Sequence, residues 1–84
     1  MLKKINAGRV ESGTGFYIEI TGPELFQYND HGKLIEIDLA YDSLKYESII
    51  YASQVKELNV EEKNKMIANI KQAIQLLGGK FVIV

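Results

Sequence analysis

No cysteine occurs in the 84 residues. That excludes a disulfide framework, thiolate chemistry and a Cys-ligated zinc site, and it fits a reducing, cytoplasmic setting. Long apolar runs are also missing: the longest span a few residues, such as 81–84, against the roughly 20 a membrane-crossing helix needs. The chain opens with Lys3 and Lys4 but then places Asn6, Gly8, Arg9 and Glu11 where a signal peptide requires an unbroken apolar stretch, so it reads as mature protein. Neither sign of charge dominates. Ten basic against eleven acidic residues leave a net charge of -1, and no basic cluster exceeds the Lys3-Lys4 pair, so a nucleic-acid backbone finds little to hold. Internal repeats, low-complexity tracts and linkers are absent as well, which leaves one domain over residues 1–84.

What is present is the composition of a folding chain, with 46% apolar and 25% charged residues. Phe16, Ile18 and Ile20 alternate with Tyr17, Glu19 and Thr21, the period of a strand with one buried face. Gly22 and Pro23 stop it, and a second strand over 25–29 runs into the turn formers Asp30 and Gly32. The cleanest alternation covers 33–41, with Ile35, Ile37, Leu39 and Tyr41 on one side and Leu34, Glu36, Asp38 and Ala40 on the other. After a turn at Asp42-Ser43, the β-branched and aromatic content of 45–53 predicts a further strand. The segment 2–10 predicts one more, joined to the next through residues 12–15.

The period then lengthens. Val60, Ile67, Ile70, Ile74 and Leu77 recur every three to four residues, which predicts an amphipathic helix over about 59–77. Asn59 is placed to cap it, Glu62 to complete a capping box, and Glu61 to pair with Lys65. Gly78-Gly79 ends the helix. Residues 80–84 form a closing strand so apolar that a place inside the sheet is expected rather than at its edge. The class is therefore α+β: an antiparallel meander of about five strands, one C-terminal helix on one face, and a final short strand.

Candidate chemistry is sparse. His31 follows Asp30, the pairing of a general base or metal ligand, yet it sits in a turn where adjacent side chains seldom converge, and a hairpin role accounts for it. Ser12, Ser43, Ser48 and Ser53 lack any nucleophile-elbow setting. Gly13-Thr14-Gly15 precedes a strand instead of opening a helix, so it offers no phosphate cradle. Glu36 and Asp38 point to one face about 7 Å apart, which suits a carboxylate pair or a divalent cation, but also a plain polar face. No catalytic set, metal site or cofactor is expected.

A helix of about 18 residues is roughly 27 Å long and about 10 Å wide, whereas five or six strands span about 24 Å or more. One helix is therefore expected to leave much of the sheet uncovered, with Tyr17, Glu19, Glu36, Asp38, Tyr46 and Tyr51 on the second face. Tyrosine beside carboxylates is the make-up of a solvated face or of a protein contact.

Over residues 48–84, the strand Ile49-Ile50-Tyr51, a polar connection, the helix from Val60-Glu61-Glu62-Lys63 to Ala73-Ile74 and a Gly-led last strand resemble small bacterial immunity proteins of polymorphic toxin systems, the class numbered seventy-four. The resemblance implies a protein that binds and neutralises a toxin. The sequence thus leads to a non-enzymatic protein-binding module; a homodimeric domain using its sheet face or an edge strand is the alternative.

Overall fold

The computed structural model describes residues 2–84. Seven strands form one sheet in sequence order: β1 Leu2–Asn6, β2 Arg9–Ser12, β3 Phe16–Gly22, β4 Leu25–Asp30, β5 Lys33–Asp42, β6 Glu47–Ile50 and β7 Phe81–Ile83. Each of the first six runs antiparallel to its neighbours in that series, and β7 runs parallel to β6. A 3-10 turn, Ala52–Gln54, and helix α1, Val60–Leu77, make the connection between those last two. The α+β class and the C-terminal helix agree with the sequence pattern.

Three details differ from it. The single strand expected over 2–10 is a hairpin, because the Asn6 side chain accepts the Gly8 N–H at 2.8 Å and turns the chain back. The strand expected over 45–53 shrinks to Glu47–Ile50, with Tyr46 at φ 55° in the preceding turn and residues 52–54 wound into the 3-10 turn. And β7 lies at the edge of the sheet, not inside it. Its apolar character has another cause: Phe81 and Ile83 pack on the core while Val82 pairs in register with Ile49 on the opposite side.

The key to the shape is β5. Its first six residues, Lys33 to Asp38, pair with β4, and its last four, Leu39 to Asp42, pair with β6. Such an offset shears the sheet, and with register shifts in β1–β2 and β3–β4 it curls the strands as shear does in a barrel. A curled sheet presents a narrower concave face than a flat one. Val10, Phe16, Ile18, Phe26, Tyr28, Ile35, Ile37, Leu39 and Ile50 line it, and Met66, Ile70 and Ala73 of α1 fill it. Ala52 and Val55 are buried with them. One helix thus seals most of the concave face, more than the flat-sheet widths allow, and the convex face is left without a covering element.

The helix begins as its sequence dictates. Asn59 Oδ1 accepts the Glu62 N–H at 2.8 Å, and Glu62 Oε1 accepts the Asn59 N–H at 3.1 Å. It ends at Gly78 and Gly79, with φ of 74° and 79°. The buried stripe is shifted from the expected one. Val60 is 75% exposed, while Met66 and Ala73 join Ile70 inside. Lys65 lies 3.5 Å from the Asp30 carboxylate instead of pairing with Glu61. Among the described residues no helix is long and apolar enough to cross a membrane.

Candidate functional site

Register fixes the convex face. Arg9 sits opposite Glu19, Glu19 opposite Gln27, and Gln27 opposite Glu36, so these four form one cross-strand row. A neighbouring row runs from Glu11 through Tyr17 and Asn29 to Leu34. Tyr17, Glu19 and Glu36 are therefore brought to one surface, as their alternation implies. Asp38 and Tyr51 join them, because the Tyr51 N–H donates to the Asp38 carbonyl at 3.0 Å and extends the ladder past β6. Tyr46 is not brought there: it projects from the β5–β6 turn, 75% exposed.

The two ends of this surface differ in charge. At the β2–β3 end, Arg9 Nε donates to Glu11 at 2.7 Å and Nη1 to Glu19 at 3.3 Å, with the guanidinium 4.0 Å above the Tyr17 ring. The hydrogen bond to Glu11 outweighs desolvation and, with the charges of Glu11 and Glu19, holds the guanidinium pKa above its ordinary value. The one guanidinium hydrogen-bonds both carboxylates and offsets one of their two charges. At the β5 end, Glu36 meets Gln27 alone, at 3.5 Å. Asp38 has no basic partner among the described residues. Glu36, Asp38, Tyr51, Gln54 and Glu57 border a shallow cavity of about 110 Å³ beside the stretch of β5 that β6 does not reach. It is a patch of negative charge with a tyrosine beside it.

A second cluster lies where β4 meets the helix. Asn69 Nδ2 donates to the Tyr28 hydroxyl at 2.9 Å, Tyr28 donates to Asp30 at 3.2 Å, and His31 Nδ1 lies 2.5 Å from the other Asp30 oxygen. Burial acts to raise the Asp30 carboxyl pKa, but His31, Tyr28 and the Lys65 charge together outweigh it and hold the group below its usual value. Burial raises the Tyr28 hydroxyl, opposed by the bond from Asn69. Adjacent Asp30 and His31 thus do converge, contrary to the expectation for a turn. Their chemistry is nonetheless limited. The His31 N–H donates to the Gly15 carbonyl at 2.9 Å, and Nε2 lies 2.7 Å from where a Cβ on Gly15 would stand. The imidazole is laid across Gly15 as a clip between two turns.

The remaining candidates are dispersed. Ser12 Oγ accepts the Thr14 and Phe16 N–H groups at 3.2 and 3.0 Å, shaping the turn that contains Gly15. Ser48 lies in β6, Ser43 in the turn before it and Ser53 in the 3-10 turn. Among the described residues no three His, Cys, Asp or Glu side chains gather as metal ligands. The place of Arg9, Gln54 and Glu57 on the convex surface is not predicted by the sequence pattern. The i, i+2 spacing of Arg9 and Glu11 puts both on one face, but their meeting with Tyr17 and Glu19 depends on the hairpin at Gly8. No protein-family model, curated protein or solved structure matches the chain.

Proposed function

We propose that this chain is a non-enzymatic protein-binding module, an immunity-like inhibitor that neutralises a bacterial toxin by docking a basic surface of it against the convex sheet face. The observation that carries the reading is the charge division of that face. Arg9 satisfies Glu11 and Glu19, whereas Glu36 and Asp38 point outward beside Tyr51 without a cationic partner among the described residues. Unpaired carboxylates next to a half-buried tyrosine steer a basic partner and give it an aromatic anchor. Occlusion of a toxin needs a rigid surface rather than catalytic groups, and a sheet with its core on the other side supplies one.

The test is co-expression of the chain with the product of the adjoining gene, followed by titration calorimetry of the purified pair. A complex whose affinity falls with ionic strength, and which Glu36→Lys with Asp38→Lys weakens by about tenfold or more, supports the reading. No complex with that product, or one indifferent to the double charge reversal, overturns it.

A further inference from the structure

We propose that the chain forms a two-fold dimer in which the β5–β6 hairpin tip of each copy docks into the notch beside β5 of the other. This surface meets the Glu36–Asp38–Tyr51 patch assigned above to a partner at one residue, Asp38, which borders both.

The tip is built to project apolar side chains. Leu44 is 90% exposed, Tyr46 75% and Tyr41 60%, which gathers three of the exposed large apolar residues into one six-residue stretch. They do not hang from a loose loop. Asp42 Oδ1 accepts the N–H groups of Leu44 and Lys45 at 3.0 and 3.3 Å, fixing the turn from inside. Tyr46 holds φ at 55°, a left-handed conformation disfavoured for its side chain. An apolar apex already held in one shape loses little conformational entropy when it docks.

The notch comes from the same offset that curls the sheet. Beyond Asp38, β4 has ended and β5 continues with β6 on its other side. The Leu39 N–H still reaches back to the Glu24 carbonyl at 3.0 Å. Backbone alternation then turns the Tyr41 N–H and C=O toward the side that β4 has vacated. Here an open groove of about 600 Å³ is bordered by Pro23, Glu24, Asp38, Leu39, Ala40 and Tyr41. It is a stretch of strand edge with apolar and polar surface in nearly equal parts and two carboxylates on its rim, and strand edges with unpaired polar groups recruit other chains.

Charge selects the occupant. Lys45 stands at the tip between Leu44 and Tyr46 and makes no ion pair among the described residues, while Glu24 and Asp38 on the rim make none either. A tip that presents Lys45 between two apolar side chains, with the Asp42 carboxylate turned to its own backbone N–H groups, and a notch with Glu24 and Asp38 on its rim share Tyr41 as a common border. A patch that carries both halves of a complementary pair side by side is self-complementary about a two-fold axis, which places a second copy of this chain in the notch. The dimer leaves Tyr17, Glu19 and Glu36 free on each copy.

Sedimentation equilibrium of the whole chain, from micromolar to millimolar concentration, reads the outcome directly. The expected mass rises toward twice the 9.5 kDa of one chain. Leu44→Glu, at an exposed site outside the core, raises the dimer dissociation constant about a hundredfold, tenfold or so for each of two buried leucines. Lys45→Glu also weakens the dimer, and adding Glu24→Lys restores it. Circular dichroism of each variant checks that the fold is intact. A chain that stays monomeric throughout overturns the proposal, as does a dimer that survives Leu44→Glu and is held by β7 or by the convex face. Failure of the charge exchange to restore association overturns the docking in the notch. None of these readings involves a toxin and none of these variants alters Glu36 or Asp38, so failure here is distinguishable from failure of the proposed function.

Discussion

Val60 and Ile70 belong to the same helix and the same apolar period, yet the curled sheet treats them oppositely. Ile70 is fully buried, and Val60 is 75% exposed at the first helical position. Truncating Ile70 to alanine removes three carbons from the closed concave face, where nothing can relax inward without parting the helix from the strands. Buried Ile→Ala changes cost about 2–5 kcal/mol. A chain of this length has a total stability of roughly 4–13 kcal/mol at about 0.05–0.15 kcal/mol per residue, so Ile70→Ala consumes a large part of it. With a urea m-value on the order of 1–1.5 kcal/mol/M, the midpoint falls by roughly 1.3–5 M. Val60→Ala removes two carbons from water and gains a few tenths of a kcal/mol of helix propensity, so its midpoint should hold or rise slightly. The assay is paired urea titration followed by circular dichroism and tyrosine fluorescence. If the two variants lose stability equally, or if in Ile70→Ala the helix melts before the strands, then α1 is a loose lid and its role as half of one core is refuted.

Other consequences follow from local geometry. Asn59→Ala removes the arm of the capping box in which the side chain accepts the Glu62 N–H, and keeps the arm made by its own backbone N–H; it should cost about 1 kcal/mol, a fall in Tm of about 4–8 °C by calorimetry for a domain of this size, while Asn59→Asp should be nearly neutral. Gly15→Ala combines a φ of 112° with a Cβ 2.7 Å from His31 Nε2, so it should destabilise by about 1–3 kcal/mol. His31→Gly in the same chain should recover the steric share and leave the backbone share, which a double-mutant cycle separates. Because the Asp30 pKa is depressed below 3.8 in the folded chain, its carboxylate stabilises the fold in full above that value. The contribution fades as the pH drops through the lower folded value. Urea midpoints measured down this acid limb should therefore decline less steeply for Asp30→Asn than for the unaltered chain, and equal slopes would contradict the assignment.

The sequence discloses those features that depend on neighbours in the chain. Alternation in 33–41 identifies the inward Ile35, Ile37 and Leu39, and the Asn59–Glu62 spacing identifies the cap, because both are decided within a few residues. Features that depend on register do not show. The division of β5 between β4 and β6 has no local signature, since its ten residues alternate without a break. From that division come the curl, the burial of Met66 and Ala73, and the notch at Leu39–Tyr41. The estimate that one helix leaves the sheet largely bare follows from treating the strands as a flat array. The candidate residues divide the same way. Tyr17, Glu19, Glu36 and Asp38 share a face by parity alone, whereas Arg9, which pairs with Glu11 and Glu19, comes into range only through the β1–β2 hairpin. Tyr46 departs from that face because its left-handed backbone belongs to the turn. The Asp30–His31 contact depends on a second turn, the one that sets Gly15 beneath the imidazole.

The same geometry separates folding from recognition. Every buried side chain of the core lies on the concave side or on the connection that closes it, so the convex face contributes little to stability. Substitutions at Glu36 and Asp38, both exposed, should move the urea midpoint by no more than about 0.5 kcal/mol equivalent. Changes at Arg9 should cost more, because it ties β2 to β3 through Glu19 and covers Tyr17. Under the proposed function, the acidic end of the outer surface is free to change to suit a basic partner while the Arg9 end and the core stay fixed. Measured stabilities of Glu36→Lys and Asp38→Lys near that of the unaltered chain would leave any loss of binding attributable to the surface itself. A large loss of stability in either would mean that the acidic end is part of the folding core, and the separation would fail.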